Sequence, residues 1–214
     1  MSKTPGRRND HDCDEKLTPV RFLDSPRVKS NSNDDNFSAI KARIEVIIPL
    51  LQSNYTKWQL AQKRGTTICT SIEAIKVGAL QNRDPKTSTL YPKDLRPYVD
   101  KLIVIVSIFE DITKSAFDSL WQLKALGKLA GVADIVFYRS WQISQYINFL
   151  DELSASYNQE TKVKQYVARE LPHCLSRADL IRCTTAWEYP QFVDEWTSLS
   201  FLFLNEEDRC RNKT

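Results

Sequence analysis

Thirteen positions, from Phe37 through Ile40, Ile44, Ile47, Leu51, Asn54, Trp58, Ala61, Gly65, Ile68, Ile72 and Ile75 to Ala79, follow one another at alternating steps of three and four. A strand turns every second side chain to the same face, so a 3.5-residue repeat kept this long fits one supercoiled helix and excludes a strand. At 1.5 Å per residue the stripe extends about 65 Å. Pro49 removes one backbone donor within it, which predicts a kink. Asn54 is the single polar side chain on the seam. It either fixes register or oligomer state from a buried position, or faces solvent.

The rest of the chain reads as more helices. Residues 82–97, with three prolines including Pro92 after Tyr91, form a connection rimmed by Lys93, Arg96 and Lys101. From about Val99 to Leu129, Leu102, Ile105, Phe109, Ile112, Ala116, Leu120 and Leu123 repeat at three or four, and Gly127 and Gly131 bracket the end. Two long helices in succession are most simply an antiparallel hairpin. Val132 to Tyr138 suits a short extended linker, and Ser140 suits the cap of a helix with Trp141, Ile147, Leu150, Leu153 and Tyr157 on one side, broken at Pro172. Ser176 suits the cap of a short helix to Trp187, and Pro190 the opening of a last one ending near Leu204, with a polar tail to Thr214. Spaced Glu and Lys residues, Glu73 with Lys76 and Glu160 with Lys164, read as solvated ion pairs on helix faces.

The expected fold is therefore all-α: a long antiparallel coiled-coil-like hairpin over 37–131, a C-terminal helical unit over 132–214 and a disordered N-terminal arm over 1–36. The arm holds seven basic and seven acidic side chains, three prolines and one aromatic residue, Phe22, too little apolar surface to offset the entropy of ordering. It also carries Thr4, Thr18 and Ser25, each followed by proline. Arg stands three residues after Thr4 and after Thr18, the pattern read by cyclin-dependent kinases. The arm is either an uneventful polar tail or a site of regulatory phosphorylation.

Chemistry that makes or breaks bonds has little to work with. The two histidines are His11, in the arm, and His173, beside Pro172. A catalytic triad is not expected, and neither phosphate-binding glycine pattern occurs. His173 and Cys174 with Cys183 lack paired zinc-ligand spacing, so no metal and no cofactor is expected. The five cysteines, at 13, 69, 174, 183 and 210, form an odd, scattered set that fits reduced thiols. The longest apolar run, Leu102 to Phe109, falls well short of the roughly 18 residues of a membrane span. With no secretory signal at the start, a cytosolic or nuclear location is expected.

Binding is the remaining reading. Of the five tryptophans, Trp58 and Trp141 are expected to pack, while Trp187 and Trp196 divide between core and docking surface. The Ile40 to Ala79 seam is longer than the second helix, so part of it is expected to be completed by another chain. A nucleic-acid-binding protein or a coiled-coil scaffold is the alternative, the former using Lys93, Arg96, Lys101, Arg209, Arg211 and Lys213. The formal charge of +3 gives it little support.

Three segments together carry a resemblance. Lys57-Trp58 is followed by Gly65, Thr67 and Ile72; Trp141 is followed sixteen residues later by Tyr157; and Val167-Ala168-Arg169-Glu170-Leu171-Pro172-His173 precedes Trp187 and Phe192-Val193-Asp194. In this order and spacing the chain resembles the cyclin-dependent kinase 2-interacting protein family. Pro190 stands one residue earlier than that family's proline, and Ala178 replaces an acidic position. The resemblance implies a nuclear, non-enzymatic adaptor. It would bind cyclin-dependent kinase with its cyclin, together with checkpoint and DNA-replication factors. It would also serve beside a companion coiled-coil subunit in an AAA ATPase complex acting on pre-60S ribosomal particles and replisomes. The partner-binding candidates are Trp58, Trp141, Glu170, Trp187, Phe192 and Trp196.

Overall fold

In the computed structural model, residues 32–81, 91–129 and 134–209 are described. The arm with Thr4, Thr18 and Ser25, the loop residues 82–90 and the last five residues, with Arg211 and Lys213, lie outside them. Five α-helices make up the described chain: α1 (Ser32–Gln81), α2 (Arg96–Leu126), α3 (Ile143–Glu170), α4 (Arg177–Glu188) and α5 (Glu195–Arg209). Short 3-10 turns at Lys93–Leu95 and Leu171–His173 lead into α2 and out of α3. Among the described residues the nearest thing to a strand is one isolated bridge, between Val136 and Gln142. The fold is all-α, and its first two helices form the long antiparallel hairpin.

The heptad stripe lies along α1 as the spacing predicts, although the helix starts five residues earlier than expected and passes through the exposed Pro49. The antiparallel pairing with α2 shows in two cross-helix hydrogen bonds: Arg43 donates to Gln122, and Asn54 Nδ2 donates to Ser115 Oγ at 2.9 Å. Asn54 is thus buried, its amide satisfied within the hairpin, and not turned to solvent. The second helix begins at Arg96, not Val99, because Pro97 sits in the first turn, where a missing N–H breaks no helical hydrogen bond. It ends at Leu126, three residues before the expected end, with Gly127 as its C-cap.

The third helix returns antiparallel along α2. Lys124 pairs with Asp151 near one end, Thr113 and Thr161 hydroxyls meet at 2.9 Å in the middle, and Gln165 donates to Glu110 beyond them. Gln142 rather than Ser140 is its N-cap, with the Gln142 N–H held by the Gln145 side chain at 2.6 Å. The Ser176 cap of α4 is as expected, its hydroxyl accepting from the Asp179 N–H at 3.1 Å. The last helix opens at Glu195 instead of Pro190, its first turn held by Asp194, which accepts from the Thr197 N–H at 3.3 Å. It then runs antiparallel along α1, where Tyr55 meets Ser198 at 2.6 Å and Gln52 donates to Asn205 at 2.7 Å.

The α1 seam is covered unevenly within the chain: Ile68, Ile75 and Ala79, toward its far end, are only half-buried. Ile40, Ile44, Ile47, Leu51, Trp58, Ala61 and Ile72 are all buried within this one chain. The added length of α1 is covered by the C-terminal helices and by the loop before α3, where Phe137 stacks on Phe37 at 5.3 Å. Hairpin and C-terminal helices share a single core. No helix of the described residues is long and apolar enough to cross a membrane.

Candidate functional site

The candidate tryptophans take two different roles. Trp187, near the end of α4, is 0% exposed, and Trp58 on α1 is 5% exposed. Their rings join Phe109 and Tyr157 in one cluster: Trp58 lies edge-on to Phe109 at 5.8 Å and stacks on Tyr157 at 6.5 Å, and Phe109 lies edge-on to Trp187 at 6.0 Å. Gly65 is the socket for Trp187, since a Cβ there would fall 2.1 Å from the indole Cζ2. Trp58 and Trp187 are consequently core residues, a correction to their candidacy as partner anchors. An aromatic-rich terminal segment looks the same in sequence whether its rings point in or out.

Beneath Trp187 is a feature that spacing hides. Lys164 and Glu160 form an ion pair at 2.9 Å, and both side chains are fully buried, so the expectation of a solvated pair fails here. The Lys164 ammonium donates to the Trp187 carbonyl at 2.7 Å and lies 5.2 Å from its ring. The Glu160 carboxylate accepts the backbone N–H groups of Gln191 and Phe192, both at 3.0 Å. Burial pulls the Lys164 ammonium below its ordinary pKa, and the facing Glu160 opposes that shift. Together the pair binds the α4–α5 turn to α3 and sets where Phe192 emerges. Lys76, expected on a solvated face, is likewise buried, its ammonium 5.2 Å from the Tyr91 ring.

A second buried carboxylate, Glu207, belongs to the segment expected as polar tail. It accepts the N–H groups of Arg139, Ser140 and Trp141 at 3.1, 3.0 and 3.3 Å and also bonds the Ser140 hydroxyl. Three successive amides around one anion form a nest, and that demand keeps α5 helical to Arg209. The nest holds Trp141 half-buried, edge-on to Tyr146 at 5.0 Å.

Other candidates remain at the surface. Trp196 is 61% exposed and Phe203 53%, with Phe192, Leu199 and Leu202 exposed beside them. Glu170 is half-buried and pairs with its neighbour Arg169 at 2.8 Å. Trp121, which sequence reasoning passed over, is 68% exposed on α2. Its position one residue off the Leu120–Leu123 stripe was the available signal. A groove of about 670 Å³ runs between the start of α2 and the end of α3, lined by Leu95, Val99, Ile103 and Pro172, with Lys93 and Arg96 among its lining residues. At its edge the Tyr91 hydroxyl meets His173 Nδ1 at 2.8 Å.

His173 is thus engaged by a tyrosine, and Cys174 meets Cys183 with sulfurs 3.8 Å apart. Cys69, Cys174 and Cys183 are free thiols, and burial pushes Cys69 and Cys174 up to about 12, far from the thiolate form a nucleophile needs. Among the described residues no group of three His, Cys, Asp or Glu side chains could hold a metal ion. No family model matches the chain, and no curated protein does.

Proposed function

We propose that this chain is a non-enzymatic helical adaptor, working as the resemblance to the cyclin-dependent kinase 2-interacting proteins implies. It joins an AAA ATPase assembly and a companion coiled-coil subunit in the nucleus, and contacts cyclin-dependent kinase, replication and checkpoint factors. The observation that carries the reading is the surplus of large apolar groups on the surface of a chain whose core is already closed, with Trp121 and Trp196 foremost. Such groups are characteristic of binding surfaces. Support also comes from where the residues of the resemblance lie. Trp58 stacks on Tyr157, and Gly65 receives Trp187, so positions far apart in sequence form one scaffold. Bond-making groups are correspondingly scarce, since the one described histidine is bonded to Tyr91 and burial keeps the Cys69 and Cys174 thiols protonated.

Affinity capture with the full chain from nuclear extract tests the assignment. Enrichment of both an AAA ATPase and a cyclin-dependent kinase complex is the expected result. Enrichment of neither would remove the named partners and leave the fold untouched.

A further inference from the structure

The outward face of α5 differs in charge from the chain that carries it. Trp196, Leu199 and Phe203 follow at steps of three and four, on the side turned away from the buried Phe201 and Leu204. Phe192 adds an exposed ring just before the helix. Residues 188–209 hold six acidic side chains against Arg209 alone, in a chain of net +3; Glu207 is buried in its amide nest and does not belong to this face, whereas Glu195 does. Glu195 precedes Trp196 in the first turn, and Glu152 of α3 lines the same cleft as Trp196. Glu206 lies further along the helix, engaged by Arg139 at 3.7 Å and Arg209 at 2.7 Å. Asp194 is partly used in holding the Thr197 N–H.

We infer that this face docks a basic amphipathic helix of a partner protein, its apolar stripe laid on Trp196, Leu199 and Phe203 and its Lys or Arg side chains set against Glu152 and Glu195. The inference deepens the adaptor reading and rests on it. An apolar stripe supplies burial but accepts any greasy helix, whereas the carboxylates beside it favour a cationic flank and oppose an anionic one. A second copy of this chain is a poor occupant, because its own α5 would bring the same negative charge to the contact.

The test uses the full chain labelled with 5-fluorotryptophan, in which Trp196→Phe identifies the Trp196 fluorine signal. Two synthetic helices are titrated, one with a leucine stripe flanked by lysines and the other with glutamate at each lysine. The lysine helix is expected to shift the Trp196 signal and leave that of Trp187 in place. Its affinity should fall roughly tenfold as salt rises from about 50 to about 300 mM, where the screening length shortens to a few ångströms. Trp196→Ala with Phe203→Ala should weaken binding about tenfold or more without lowering the melting temperature. Glu152→Lys with Glu195→Lys should reverse the preference between the two helices. Equal binding of both helices, binding of neither, an unmoved Trp196 signal, or self-association through this face would overturn the inference. Nuclear capture of no ATPase or kinase with the lysine helix still bound would remove the named partners alone; the opposite pair of results would remove this surface alone.

Discussion

Trp187 and Trp196 stand nine residues apart in one aromatic-rich segment, yet the first is sealed inside and the second lies mostly in water. Around Trp187 everything is prepared for a large ring: Gly65 clears the space, Phe109 closes one side, and Lys164 takes the backbone carbonyl. Around Trp196 the neighbours are Glu152, Ser156 and Ser200, which border a shallow cleft and leave the outer face open. The fate of an indole is decided here by what other helices present to it. Its own residue type is the same in both places.

The contrast breaks most severely at the buried end. Trp187→Ala should cost about 3–5 kcal/mol of stability in chemical denaturation, since it empties the centre of the aromatic cluster. Glu160→Ala should cost a similar amount, about 3–5 kcal/mol, by leaving Lys164 buried without its counter-charge and the Gln191 and Phe192 amides without an acceptor. A normal unfolding midpoint for either variant would show that the cluster is not the keystone described. Gly65→Ala should come next, at roughly 1–3 kcal/mol, through its clash with the indole. Pairing it with Trp187→Ala should abolish most of the Gly65→Ala penalty, a double-mutant test of the socket.

A smaller, pH-dependent effect probes the same interior. Cys69 keeps its proton to about 12 when folded, against 9.0 for an ordinary thiol, so the unfolded chain releases that proton first. Stability from this group is complete below pH 9 and declines as pH rises toward 12. Relative to Cys69→Ala, the unaltered protein should lose up to about 1.4 kcal/mol per pH unit in this window, and equal slopes would contradict the burial of the thiol. The smallest effect belongs to the exposed end. Trp196→Ala should change stability by less than about 0.5 kcal/mol, and a loss comparable to that of Trp187→Ala would dissolve the distinction.

Legibility followed the range of the interactions. The α1 helix and the Ser176 cap depend on neighbours three or four residues away, and each is written in spacing; the hairpin follows from two long stripes joined by a connection. The α3 cap was misplaced because Ser140, a good cap by type, is drawn instead to Glu207, 67 residues on. Glu160 and Lys164 have the spacing of a surface pair; only the arrival of Trp187 and the following turn over them makes them interior. The α1 seam likewise takes cover from α4 and α5, which lie along it and come from far later in the chain. Of the binding candidates, Phe192 and Trp196 remain outside, Trp141 and Glu170 are half-covered, and Trp58 and Trp187 are enclosed, because sequence names anchors without saying which way they point.

The carboxylate of Glu207 reaches back to fasten the loop that launches α3, and this bears on how the protein can be handled. Trimming after Leu204, where the apolar pattern stops, would strip a lid from three amides and unmoor Trp141 in the process. A shortened chain would then fail in assays for reasons of architecture, and its silence could be misread as the loss of a terminal docking signal.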